Sequence, residues 1–234
     1  MESGPAKGFR LTLETASSQR RNSDFRTMKK TSMTEPGKRE TSVGKEMVRA
    51  FVCVEIPGAI RDGMEQLQLK LKQAGAEVSW VKPSNIHLTL KFLGDVPRPR
   101  IQGVCSAVER AAHVIEPFEI EVSGTGCFPS MSSPRVLWVG LSQVSNELKQ
   151  LHAVLENELA GEGFARETRR FGPHLTIGRL RSQRHAPALA DRLRAAGFEA
   201  VKFQANEIIV MRSDLKPTGA LYTPQAIIPL GVLP

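Results

Sequence analysis

The tripeptide His-Leu-Thr occurs twice, at 87–89 within NIHLTLKFLG and at 174–176 within FGPHLTIGR, and its surroundings constrain the fold more than any other feature. Each copy follows a turn signal, Pro83-Ser84-Asn85 in one case and Gly172-Pro173 in the other, and each runs on in alternating leucine and β-branched residues. That pattern opens a strand after a turn. Side chains alternate between the two faces of a strand, so His87 and Thr89 point one way and Leu88 and Leu90 the other. His174 and Thr176 stand in the same relation to Leu175 and Ile177. Each strand therefore buries an aliphatic face and presents an imidazole beside a hydroxyl on the opposite one. Two such strands facing one cleft make an acid/base pair.

Around these strands the periodicity switches repeatedly between two and 3.6. Strands are expected over 49–56, 78–81, 118–122, 136–141, 198–212 and 221–230. Ile60, Met64, Leu67 and Leu71 predict a helix over 58–74; Ile101, Val104, Cys105 and Val108 predict another over 99–115. Leu148, Leu151, Leu155 and Leu159 mark a third over 145–161, and a fourth spans 187–196 before Gly197. The Gly-, Ser- and Pro-rich stretch 123–134 reads as a connection. The two motif histidines are 87 residues apart, close to half the folded portion, which points to internal duplication. The expected fold is α+β: two pseudo-symmetric lobes of antiparallel sheet plus helices around a central cleft, spanning 46–234. Irregular alternation of elements disfavours a doubly wound parallel sheet.

Hydrophobic content of 41% and charged content of 24% place the chain among ordinary globular proteins. No apolar run approaches the roughly 20 residues that cross a bilayer, and no secretory signal is visible. The expectation is a cytoplasmic monomer without membrane contact. Glu2, Glu14 and Asp24 argue against reading the Arg- and Ser-rich start as a transit peptide. Residues 1–45 lack any apolar period and carry +5 of the net charge of +8, and they read as a disordered basic tail. Cys53, Cys105 and Cys127 have no Cys-x-x-Cys spacing and read as small buried hydrophobes in a reducing compartment.

Imidazole titrates near neutrality, so one ring can remove a proton from an attacking nucleophile while the other donates one to a departing oxygen. In-line displacement at phosphorus has that geometry, with entering and leaving oxygens on opposite sides. Thr89 and Thr176 would set hydroxyls against the non-bridging oxygens. Arg166, Arg169, Arg170, Arg179, Arg181 and Arg184 surround the second motif and suit an anionic ligand. Arg179 lies five residues after His174, on the wrong face of a regular strand; it reaches a phosphate only if a bulge intervenes, for which Gly178 is the candidate. A metal site is the rival use of the histidines, but no further ligand types stand at coordinating spacing, and neither metal nor cofactor is expected. His113, His152 and His185 read as surface or helix residues.

The segments WVKPSNIHLTLKFLG at 80–94 and FGPHLTIGR at 171–179 resemble the two signature motifs of the 2H phosphoesterase superfamily. More narrowly, the chain resembles the RNA 2′,3′-cyclic phosphodiesterases, also called 2′-5′ RNA ligases. Supporting echoes are RAFVCVEIP at 49–57, SPRVLWVGL at 133–141 and MRSDLKPTGALYTP at 211–224, so that the likeness covers about 47–234. The resemblance implies a two-lobed fold with a basic cleft, and metal-independent opening of a 2′,3′-cyclic phosphate to a 2′-phosphate. It implies His87 as the proton donor to the leaving 3′ oxygen and His174 as the base that activates water. It further implies Thr89, Thr176 and Arg179 as phosphate ligands and Phe51 as a contact to base or ribose. The implied partners are RNA with 2′,3′-cyclic phosphate ends or cyclic nucleotides. Two alternatives use the same cleft: a nucleotide- or RNA-binding module without turnover, and joining of 2′,5′ RNA ends.

Overall fold

The structure, a computed structural model, describes residues 46–217 and 219–231. The tail expected over 1–45 lies outside the described residues. In chain order the strands are β1 (Met47–Glu55), β2 (Val78–Trp80), β3 (His87–Pro97), β4 (Phe118–Ser130), β5 (Ser133–Leu141), β6 (Leu175–Leu180), β7 (Val201–Ala205), β8 (Glu207–Lys216) and β9 (Gly219–Pro229). The helices are α1 (Gly58–Lys72), α2 (Ile101–Ala112), α3 (Asn146–Gly161) and α4 (Ala186–Ala196). The strands form one antiparallel sheet in the order β7-β4-β5-β6-β3-β1-β8-β9, with β2 paired to β6 beside that path.

The middle of this sheet is its weakest seam. β3 and β6, the two motif strands, share the single pair Leu88–Leu175; beyond it β6 turns to β2. A sheet joined at one point can open into two halves, and this seam divides the fold into its lobes. One lobe holds β3, β1, β8 and β9 with α2 and α3 against it, and the other holds β7, β4, β5, β6 and β2 with α1 and α4. Neither lobe is a continuous half of the chain. α1 follows β1 in sequence but serves the other lobe, and α3 follows β5 and packs on β3. The lobes correspond closely in register nonetheless. Thr89 and Lys91 pair with consecutive residues of β1, skipping Leu90, and Thr176 and Gly178 pair with consecutive residues of β5, skipping Ile177. Each motif strand thus carries a bulge immediately after its threonine.

Burial follows the alternation that the sequence predicts: Leu88, Leu90, Leu175 and Ile177 lie in the core, whereas His87, Thr89, His174 and Thr176 stay part-exposed. Two expectations need correction. The connection expected over 123–134 is largely strand, because β4 runs to Ser130 and β5 starts at Ser133. Its glycines have strand-specific reasons. Gly124 sits at a register shift with φ +67°, and a methyl at Gly126 would come within 2.3 Å of the Trp138 ring that lies over it. The single strand expected over 198–212 is two: β7 pairs with β4 and β8 with β1, so the chain changes lobe at Asn206.

Candidate active site

The two imidazoles are held by the same device. His87 opens β3 after a 3-10 turn at Pro83–Asn85, and its Nδ1 lies 2.8 Å from the Asn85 carbonyl oxygen. His174 directly precedes β6, and its Nδ1 lies 2.8 Å from the Gly172 carbonyl oxygen. A carbonyl can only accept, so Nδ1 carries the hydrogen in both rings and Nε2 is left for proton exchange. In each motif the accepting carbonyl stands two residues upstream. The Asn85 side chain donates to the Ala220 carbonyl of β9 at 2.8 Å, which ties the His87 turn to the far edge of its lobe.

The Leu88–Leu175 pair fixes how the motifs meet. Stepping one residue either way in this antiparallel register sets Thr176 across from His87 and His174 across from Thr89. A cavity of about 330 Å³ opens at this point, lined by His87, Thr89, Thr176, Arg179, Phe51 and Tyr222 among others. His174 is not part of that lining. Its ring stands edge-on to Phe128 at 5.0 Å, with Trp138 at 6.4 Å, while Thr176, two residues along, does face the cavity.

Arg179 lines the cavity because β6 bulges, although the extra residue is Ile177, one position before Gly178. The displaced Ile177 carbonyl accepts from the Val81 amide at 3.1 Å and from Gln68 Nε2 at 2.8 Å. Gln68, buried on α1, also donates to the Val81 carbonyl and so clamps the bulge from below. Gly178 has a different task. A methyl there would lie 2.8 Å from Val78 and 3.0 Å from Trp80 of β2. The other five arginines near the second motif are exposed and outside the cavity lining.

Phe51 lines the cavity from within the core. It is 3% exposed and stacked on the His87 ring, centroids 4.6 Å apart and planes at 21°. Tyr222 meets His87 edge-on at 5.3 Å and Phe51 at 5.1 Å. This aromatic packing strips water from His87. Burial lowers its pKa from 6.5 to about 4, against the Asn85 carbonyl bond, which raises it. The ring is therefore neutral at pH 7 in the free protein. A folded-state pKa below the unfolded value costs stability as pH falls from 6.5 through about 4, where only the unfolded chain takes the proton. Acid titration of the melting temperature is expected to show this loss, and His87→Gln to flatten it over that interval. An unchanged slope in the variant would remove His87 as its source.

Sequence reasoning missed Asn85, Gln68 and Tyr222, and also a buried pair behind the site. Lys91 Nζ bonds both Glu156 carboxylate oxygens, at 2.7 and 2.8 Å, and the Ala165 carbonyl at 2.9 Å. Glu156 Oε2 also accepts from the Glu167 amide at 2.9 Å. His152, on α3 as expected, lies with Nε2 3.8 Å from Glu156 and its ring stacked on Phe171 at 3.9 Å. β3 and α3 are thereby joined to the segment that leads into His174. Cys53 and Cys127 are buried and Cys105 is half-buried, all as free thiols. Burial, with the charge of Glu55, pushes the Cys53 thiol up to about 12, far from a reactive thiolate. Among the described residues no three His, Cys, Asp or Glu side chains converge as metal ligands would, and no helix is long and apolar enough to cross a membrane.

Both the sequence and the fold resemble those of known proteins. A protein named RNA 2′,3′-cyclic phosphodiesterase from Methanothermobacter thermautotrophicus is 36% identical over 177 residues, 75% of this chain and 95% of that protein. One of the same name from Thermotoga maritima is 32% identical over 180 residues, 75% of this chain and 91% of that protein. The crystal structure of E. coli LigT complexed with 3′-AMP superimposes with a TM-score of 0.62 at 25% identity, covering 79% of this chain and 99% of that one. The family model for the 2′-5′ RNA ligase superfamily matches residues 56–217. With that match over more than half of the chain and a relative above 30% identity, the chain belongs to the 2′-5′ RNA ligase superfamily.

Proposed function

We propose that this protein hydrolyses the 2′,3′-cyclic phosphate at the end of an RNA to a 2′-phosphate, through its two histidines and without a metal. The observation that carries this reading is the matched pair of tautomer locks, Asn85 carbonyl to His87 and Gly172 carbonyl to His174, on strands that meet at one point. Relatives named RNA 2′,3′-cyclic phosphodiesterase and a LigT neighbour that binds 3′-AMP support the same substrate class. In the step we envisage, His174 Nε2 takes a proton from water as the water oxygen bonds to phosphorus. The bond from phosphorus to the 3′ oxygen breaks, and that oxygen receives the proton carried by His87 Nε2. Thr89 and Thr176 donate to the non-bridging oxygens while Arg179 offsets their charge. Phe51 and Tyr222 hold the His87 ring in place.

The donor needs a proton that burial removes from the free ring. A phosphate monoanion at Nε2 supplies the opposite charge that draws it back. Incubation of a nucleoside 2′,3′-cyclic phosphate with the protein and a chelator, followed by phosphorus NMR, tests the reaction. The expected product is the 2′-phosphate alone. A 3′-phosphate, or turnover that disappears with chelator, would overturn the reading.

A further inference from the structure

The two imidazoles share a backbone lock but not their aromatic surroundings. His87 is stacked on Phe51 of the adjacent strand β1, with Tyr222 edge-on. His174 has no stacked partner among the described residues. Its aromatic neighbours are Phe128 of β4, centroids 5.0 Å apart with planes at 81°, and Trp138 of β5 at 6.4 Å. Phe128 and Trp138 lie 5.3 Å from each other. The three rings form one cluster outside the lining of the cavity.

This cluster is built up from the sheet. Trp138 and Thr176 are ladder partners, so their side chains share the face on which the cavity opens. The indole spreads over two glycines: beside the Gly126 contact already described, a methyl at Gly140 would come within 3.1 Å of the same ring. Its Nε1 is buried and has no hydrogen-bond partner among the described residues, so packing alone holds the ring. An orphan N–H costs free energy that only the contacts of the ring can offset. Phe128 stands two residues after Gly126 on the same face of β4, and from there it touches both the indole and His174. It is 41% exposed, and neither ring belongs to the hydrophobic core. Two large aromatic side chains outside the core contribute less to folding than their area would in it.

What the cluster does contribute is a second restraint on His174. The bond from Nδ1 to the Gly172 carbonyl oxygen pins one atom and leaves the plane of the ring free to swing about it. A further contact has to fix where Nε2 points, and Phe128 is that contact. We infer that Phe128 is a positioning residue for the second histidine, and that Trp138 acts behind it as the base on which Phe128 rests. The inference rests on the proposed reaction, in which His174 aims Nε2 at the attacking water.

Saturation kinetics of the full chain on a nucleoside 2′,3′-cyclic phosphate test it. Phe128→Ala is expected to lower kcat by about ten- to a hundredfold with KM within about threefold of the parent, because the phosphate ligands stay in place. Phe128→Tyr keeps the ring and should hold kcat within about threefold. Trp138→Leu should also lower kcat, and adding it to Phe128→Ala should cost little more than Phe128→Ala alone, since both act through one contact. Nitrogen NMR of the imidazoles gives a readout that a purely structural role would not move. In the parent the neutral His174 ring should keep its hydrogen on Nδ1; in Phe128→Ala it should exchange between tautomers, with His87 unchanged. An unchanged kcat in Phe128→Ala, a raised KM at full kcat, or additive losses in the double variant overturn the inference. If the parent turns over no cyclic phosphate, the proposed reaction fails and the His174 tautomer decides the positioning separately. A mixture in Phe128→Ala then supports it, and an unaltered spectrum overturns it.

Discussion

Loss of either ring, as His87→Ala or His174→Ala, is expected to lower kcat on a 2′,3′-cyclic phosphate by roughly 10²–10⁴, with KM little changed. Proton transfer is needed in the transition state and contributes little to ground-state binding, which Thr89, Thr176 and Arg179 still supply. The double variant should fall only slightly below the weaker single one, because two groups serving one displacement are not independent. Saturation kinetics on the four proteins check this. A single variant within threefold of the parent would exclude that ring from the chemistry.

The two rings differ in what surrounds them, and that difference makes their roles separable. His87 is packed between Phe51 and Tyr222 with a pKa of about 4, so at pH 7 only about one free molecule in a thousand carries its second proton. A donor in such a pocket has to be charged by its substrate. Inorganic phosphate or a 3′-nucleotide bound at Nε2 is therefore expected to lift the His87 midpoint by two units or more, read from ring proton shifts. A midpoint that stays near 4 when the ligand is bound would make His87 the base and His174 the donor. The same surroundings explain why Phe51→Ala should alter the pH dependence of kcat as well as its size, since that ring face is part of the desolvation.

What the sequence made legible was governed by local periodicity. Alternation placed His87 with Thr89 and His174 with Thr176 on one face, and the repeat of the motif indicated two lobes meeting at the histidines. What it concealed depends on partners distant in the chain. Arg179 faces the cavity because Ile177 is bulged, and the bulge is held by Gln68, 109 residues upstream. Lys91 would share the face of His87 in a regular strand, yet the bulge at Leu90 turns it inward to Glu156. Gly126 looked like a loop residue because the ring that requires it, Trp138, comes from the neighbouring strand. An unbroken β pattern over 198–212 likewise carries no sign that its two ends pair in different lobes. The arginines around 166–184 were a compositional signal, and composition does not say which cations face a cavity.

Lys91→Ala is expected to destabilise the fold by about 3–5 kcal/mol, more than any single ion pair at the surface could account for. The side chains of Lys91 and Glu156 are only 5% and 10% exposed, and the ammonium spends all three donors on protein acceptors. Burial alone would push the Glu156 carboxyl up; the Lys91 bond, the Glu167 amide and the charge of Lys91 together carry it below the usual range. Removing the cation leaves that carboxylate desolvated with one amide and His152 for company, whereas removing both charges leaves nothing uncompensated. Lys91→Met combined with Glu156→Leu is therefore expected to melt well above Lys91→Ala and near the parent. Stability and activity should then part. The double variant still lacks the bonds to Ala165 and Glu167 that fix the approach to His174, so its kcat should stay depressed with KM nearly unchanged. If the double variant regains both melting temperature and kcat, the pair serves folding alone. If it regains only the first, Lys91 and Glu156 position the second histidine across the seam on which the two lobes meet.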